Sequence, residues 1–92
     1  MMINLHTCPL SVSPGVNELI RQGYDILPFL SRHRNKDWGD LSDEEKAFND
    51  YVMGKQRGTL WSVYTIASGA DIWVLTNLTN TVRTTVMLPH EH

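Results

Sequence analysis

The sequence lacks the features that mark the common enzyme and membrane classes. It has one cysteine, Cys8, which excludes an internal disulfide, and no apolar run long enough for a transmembrane helix. It also has no glycine-rich phosphate loop and no cysteine and histidine cluster with metal-site spacing. A chain of 92 residues is too short for a Rossmann or TIM-barrel enzyme, so we expect a single domain over residues 1–92.

Positive charge is also scarce, because ten acidic residues stand against eight basic ones and the net charge is −2. Such a balance does not favour direct binding to nucleic acid or to an anionic membrane. An unpaired cysteine is typical of a reducing compartment. We therefore expect a cytoplasmic protein with no cofactor and no metal.

Capping signals predict three helices in the first half of the chain. Ser13 precedes Pro14, Asp25 begins a second helix, and Ser42 with Glu45 forms a capping box for a third. The apolar spacing predicts a buried stripe on each helix. The expected stripes are Val16, Leu19 and Ile20, then Ile26, Leu27 and Leu30, and finally Ala47, Phe48, Tyr51 and Val52 before Gly54 ends the third helix.

The second half changes to a period of two and predicts strands at residues 59–67, 72–76 and 82–88. Short turns between them make the strands antiparallel. The expected fold is therefore α+β, with two or three helices packed on a three-stranded antiparallel meander. Residues 2–12 form a possible edge strand that Pro9 ends or keeps at the edge. Trp61 and Trp73 are expected to pack together across the first hairpin.

The charges are unevenly placed, since residues 37–50 hold six of the ten acidic residues. One interpretation is an acidic surface that binds a basic groove on another protein. The other is a capped, solvated helix. Trp38 is predicted to fill the core, with an anchor for a partner as the alternative. The residues predicted to contact a partner are Asp37, Trp38, Asp40, Glu44 and Asp50.

Two further functions remain open from the residues alone. A nucleic-acid-binding module would need two basic groups to converge. A small enzyme or toxin would use His33 with Asp37 or Asp40, or Cys8 with His6, as an acid–base or nucleophilic pair. The basic groups are Arg32, Arg34 and Lys36 on one side and Lys55 and Arg57 on the other.

The segment LSRHRNKDWGDLSDEEKAFND at residues 30–50 resembles a family of small proteins carried by plasmids, integrative elements and phages of proteobacteria. The D-W-G-D-L motif, the following acidic helix, the I-W strand and the terminal T-T-V-M-L-P carry the resemblance. Here residues 76–80 are uncharged where the family has T-E-A-D-R, and His92 replaces a terminal tyrosine. The resemblance implies a mobile genetic element as the source. Together with the acidic surface and the lack of a catalytic constellation, it leads us to expect a non-enzymatic protein that binds a host protein or defence complex, as an anti-CRISPR or anti-restriction inhibitor does.

Overall fold

The computed structural model describes residues 8–79 and 81–92 and has an α+β fold, as predicted. Helices occupy the first half of the described chain and strands most of the second. The elements are β1 (Leu10–Val12), α1 (Pro14–Arg21), α2 (Leu27–Arg34), α3 (Asp43–Lys55), β2 (Thr59–Thr65), β3 (Asp71–Asn77), β4 (Arg83–Met87) and a 3₁₀ helix (Pro89–Glu91).

The sheet is mixed and has four strands in the order β1-β4-β3-β2. Strands β2, β3 and β4 pair antiparallel, and β1 adds to β4 in parallel. The predicted antiparallel meander is thus present as β2, β3 and β4, but the sheet as a whole is mixed, because the edge strand considered at the N-terminus joins it in parallel. The helices between β1 and β2 carry the chain back across the sheet, which makes the parallel pairing possible.

Strand β1 begins after Pro9 and lies at the edge of the sheet, so of the two expectations for Pro9 the edge position is confirmed and the strand end is wrong. Proline has no N–H to donate, but its carbonyl accepts a hydrogen bond of 2.9 Å from the Thr84 amide. Pro9 therefore begins the pairing with β4 rather than interrupting it. The part of the predicted strand at residues 2–7 lies outside the described residues.

Two of the three predicted capping residues, Ser13 and Ser42, cap their helices, whereas the N-cap of α2 is Ile26 and not Asp25. The Ser13 hydroxyl accepts a hydrogen bond from the Val16 amide at 3.2 Å, and the Ser42 hydroxyl accepts one from Glu45 at 3.1 Å. Glu45 completes the capping box by accepting from the Ser42 amide at 3.0 Å. The Asp25 carboxylate accepts from Leu27 at 3.0 Å, one residue earlier than a regular cap.

The 3₁₀ helix is joined to the start of α1 by hydrogen bonds to Glu91. Glu91 accepts hydrogen bonds from the Ser13 hydroxyl at 2.5 Å and from the Gly15 amide at 3.0 Å. It also accepts one from the Leu88 amide at 2.9 Å. The hydrogen bond from Ser13 is the main reason that the pKa of Glu91 lies below its ordinary value. The carboxylate thus accepts hydrogen bonds from backbone N–H groups at the start of α1 and at the start of the 3₁₀ helix.

Helices α1 and α2 cover one face of the sheet. Residues on β2 and β3 alternate between buried and less buried, so the covered face is the one that carries Tyr64, Ile72 and Val74. Two predicted core residues lie outside this layer, because Ile20 is 40% exposed and Leu27 66% exposed. A second apolar cluster forms beside α3; its buried members are Trp38, Leu41, Val52, Leu60 and Leu78.

Helix α3 presents a different face to the protein from the one predicted. Ala47, Phe48 and Tyr51 are exposed, and the buried residues are Asn49 and Val52. The Asn49 side chain donates to the Trp61 carbonyl at 2.6 Å and accepts from the Trp61 amide at 3.1 Å. This pairing turns the helix about its axis and places the aromatic residues outside. The helix ends at Lys55, followed by Gln56 at φ 57°, and not at Gly54.

We expect Asn49→Ala to lower the free energy of unfolding by about 2 kcal/mol, because it leaves two buried backbone groups of Trp61 without partners. Urea denaturation followed by circular dichroism measures the change. Asn17→Ala is the matched control, since Asn17 is an exposed helical asparagine, and it should change stability by less than about 0.5 kcal/mol. Equal stability of the two variants would contradict the role assigned to Asn49.

Candidate functional site

The D-W-G-D-L segment is a tightly held loop between α2 and α3. Asp37 accepts hydrogen bonds from the Arg32 guanidinium at 2.8 and 3.3 Å and from the Gly39 amide at 3.2 Å. The hydrogen bond from Arg32 is the main reason that the pKa of Asp37 lies below its ordinary value. The Tyr64 hydroxyl donates to the Asp37 carbonyl at 2.5 Å. Hydrogen bonds thereby hold both the side-chain carboxylate and the main-chain carbonyl of Asp37 in place.

Gly39 lets the same loop lie against the edge of β2. The Val63 carbonyl accepts from the Asp40 amide at 2.7 Å, and the Val63 amide donates to the Trp38 carbonyl at 3.3 Å. Gly39 has φ 76°, and a Cβ atom there would lie 2.0 Å from the Val63 carbonyl oxygen. Only glycine fits this approach. Together with Asn49, the loop occupies the outer edge of β2.

Trp38 is buried, with 4% of its surface exposed. Its indole N–H donates to the Asp50 carboxylate at 3.2 Å, and its ring meets His33 edge-on at 5.5 Å between centroids. The side chain is therefore unavailable as a surface anchor, which corrects its assignment to the partner contact. Burial supports its predicted role in the core.

The other predicted contact residues lie at the surface, but most of them are bonded. Asp37 pairs with Arg32, Asp40 accepts from the Thr65 hydroxyl at 2.9 Å, and Asp50 accepts from Trp38. Glu44 is exposed and forms no hydrogen bond or ion pair within the described part of the chain. Of the predicted residues, Glu44 therefore has the carboxylate that is most available to a partner.

An exposed aromatic pair lies on α3, where the sequence predicts buried residues. Phe48 is 62% exposed and Tyr51 60% exposed. Their rings stack with centroids 6.2 Å apart, and Lys55 Nζ lies 5.6 Å from the centroid of Tyr51. The helical spacing of these residues is that of a buried stripe, and no signal within the helix marks the rotation that Asn49 imposes.

A groove of about 330 Å³ lies beside this pair, between α3 and β2. It is mainly apolar, with two carboxylates at the helix N-terminus. We call it the α3–β2 groove; it is lined by Glu44, Glu45, Phe48, Asn49, Thr59 and Trp61.

The predicted pairing of Trp61 and Trp73 is confirmed on the face of the sheet opposite α1 and α2. Their rings meet edge to face with centroids 5.2 Å apart. Trp73 also meets the ring of His92 at 5.3 Å. The aromatic surface therefore continues from the α3–β2 groove across the sheet to the last residue of the chain.

His33 is buried in a chain of hydroxyl groups. Its Nδ1 lies 2.6 Å from the Ser62 hydroxyl and its Nε2 lies 2.8 Å from the Thr76 hydroxyl. Thr76 continues to Thr84 at 2.7 Å, and Thr84 to the Cys8 sulfur at 3.1 Å. The pairs of His33 with Asp37 or Asp40, considered for an enzyme, are not formed.

The other two hypotheses from the sequence concern a pair of Cys8 with His6 and a surface formed by two basic groups. His6, the proposed partner of Cys8, lies outside the described residues. Among the basic residues, Arg32 is bound to Asp37 and lies 4.6 Å from the centroid of Tyr64, while Lys55 lies over Tyr51. These two cations are therefore engaged within the protein.

Residues 8–79 and 81–92 contain no group of three or more histidine, cysteine and acidic residues placed to hold a metal ion. No helix in this part of the chain has the length and apolar character needed to cross a membrane. Comparison of the chain with models of protein families, with curated proteins and with solved structures finds no match.

Proposed function

We propose that this chain is a non-enzymatic binding protein that docks through the exposed side of α3 on a basic surface of a host protein complex. The observation that carries the proposal is the solvent-exposed pair Phe48 and Tyr51 next to the exposed carboxylate of Glu44, which no other described residue binds. Contiguous exposed apolar surface marks interaction sites on soluble proteins, and aromatic residues are enriched among those that dominate binding energy.

The charge around this surface supports a basic partner. Asp43, Glu44 and Glu45 occupy the first turn of α3, and Asp37, Asp40 and Asp50 lie at the surface near it in sequence. Complementary charge accelerates encounter and selects the partner. Many basic protein surfaces bind nucleic acid, so an acidic protein can compete for them without any chemistry.

The most concrete form of the proposal is an inhibitor of host defence, of the anti-CRISPR or anti-restriction type, encoded by a mobile genetic element. The resemblance of residues 30–50 to a plasmid and phage protein family supports this form. A restriction or CRISPR complex has the basic nucleic-acid groove that the acidic surface would match.

The protein should protect an incoming phage when it is expressed in bacteria with an active restriction or CRISPR system. The efficiency of plating of the targeted phage measures protection across a panel of such systems. Phe48→Ala with Tyr51→Ala should weaken binding by at least about 2 kcal/mol, roughly thirtyfold, and return plating to the level of the empty vector.

Leu27→Ala is the matched control, because Leu27 is equally exposed but lies on α2. It should protect as well as the unaltered protein. Full protection by the double variant, or no protection in any system of the panel, would overturn the proposal.

A further inference from the structure

The lining of the α3–β2 groove combines aromatic rings with carboxylates. Phe48 and Trp61 supply the rings, and Glu44 and Glu45 supply the negative charge. One oxygen of Glu45 is used by the Ser42 amide in the capping box, whereas Glu44 has no hydrogen bond or ion pair to residues 8–79 or 81–92. The groove therefore offers a free carboxylate beside an aromatic surface.

This combination suits a cation that is also planar. An aromatic ring attracts a positive charge through its quadrupole, and tryptophan does so best. A guanidinium stacks on aromatic rings and can bind a carboxylate through two parallel hydrogen bonds, whereas an ammonium is a compact, strongly hydrated charge. The protein already uses this contact, since the Arg32 guanidinium lies over Tyr64 and binds Asp37.

The dipole of α3 disfavours a cation at the N-terminus of the helix, but the nearby carboxylates outweigh it. The N-terminus of a helix carries roughly half of a positive charge. Asp43, Glu44 and Glu45 place three carboxylates in the first turn. The local field near the groove is therefore negative and favours a positive ligand.

We propose that the α3–β2 groove binds an arginine side chain presented by the partner protein, with its guanidinium against the aromatic lining and paired with Glu44. The inference rests on the proposed function only in assigning that arginine to the host partner. It identifies the contact by which the acidic side of α3 recognises a basic surface.

The test is a titration of the purified protein with N-acetyl-arginine methylamide, followed by the three indole N–H signals in nitrogen–proton NMR spectra. The signal of Trp61 should shift and saturate at millimolar concentrations, while that of the buried Trp38 should stay in place. Glu44→Gln and Phe48→Ala should each weaken binding roughly three- to fivefold. The lysine analogue should bind more weakly, and the uncharged norleucine analogue should not shift Trp61.

Asp43→Asn is the matched control, because it removes one charge from the same helical turn without altering the groove lining. It should weaken binding of the probe less than Glu44→Gln does, because Asp43 contributes only to the local field and does not line the groove. The absence of a saturable shift at Trp61, or equal weakening by Asp43→Asn and Glu44→Gln, would overturn the proposal.

The titration needs no host component, so its result is independent of the defence assay. If the probe binds but no system is inhibited, the groove remains an arginine site and the proposed function is wrong. If the defence assay succeeds and Glu44→Gln and Phe48→Ala each protect like the unaltered protein, the arginine proposal is wrong and the proposed function stands.

Discussion

Trp38→Ala is expected to lower the free energy of unfolding by about 3–5 kcal/mol, because it leaves a large cavity in the cluster beside α3. Trp38 packs with Leu41, Val52 and Leu60 and is the largest side chain of that cluster. For a domain of this size, the loss corresponds to a fall of roughly 15–30 °C in Tm. Thermal melting by circular dichroism measures it.

Two further variants serve as comparisons: one keeps part of the packing of Trp38 without its hydrogen bond to Asp50, and the other is a surface control. Trp38→Phe keeps an aromatic ring but loses the N–H donor, so its Tm should lie between those of the unaltered protein and Trp38→Ala. Phe48→Ala removes an exposed aromatic from the neighbouring helix and should change stability by less than about 1 kcal/mol. A Trp38→Ala protein that melts at the temperature of the unaltered protein would refute the structural role.

The second large effect is a dependence of stability on pH that originates at His33. Burial is the main reason, and the nearby charge of Arg34 a lesser one, that the pKa of His33 falls to about 4. In the neutral tautomer, one ring nitrogen donates to a hydroxyl and the other accepts from one, so the pairing with Ser62 and Thr76 is complete. Protonation would place a charge in this buried site.

The sign follows from the proton balance. The ordinary pKa of histidine is about 6.5, so between pH 6.5 and 4 the unfolded chain binds a proton that the folded protein does not bind. The free energy of unfolding is therefore unaffected by His33 above pH 6.5 and falls progressively toward pH 4, by about 3 kcal/mol in total. The carboxylates of Asp37 and Glu91, whose pKa values are lowered, lose their contribution in a more acidic range.

Urea denaturation at a series of pH values checks this prediction. His33→Gln should be less stable at pH 7 but should lose most of the slope between pH 6.5 and 4, because its amide does not titrate. His90→Gln, a change at an exposed histidine, should keep the slope of the unaltered protein. A free energy of unfolding that stays constant from pH 6.5 to 4.5 would show that His33 is not held neutral by the fold.

The features that were predictable from the sequence are those that depend on neighbouring residues. Ser13 and Ser42 begin helices because a hydroxyl at that position reaches an amide three residues ahead. The alternation along residues 59–65 predicts a half-covered strand in the same local way.

The features that were not predictable depend on contacts between distant segments. An edge strand within residues 2–12 was a possibility from the sequence, but its parallel pairing with residues more than 70 positions later was not. The spacing of Phe48, Tyr51 and Val52 indicates a buried face, but Asn49 turns the helix by binding the backbone of β2. The same rotation hid the exposed aromatic pair and thus the most accessible part of the candidate site.

Strand β1 and the first turn of α1 depend on contacts with residues that lie far later in the sequence. Strand β1 finds its pairing partner only in β4, and Glu91 completes the start of α1 from the penultimate position. A chain growing on the ribosome therefore cannot complete this sheet or this helix start until residues 83–91 have left the exit tunnel. Synthesis of α1 precedes by some 70 residues the synthesis of the carboxylate that holds its first turn.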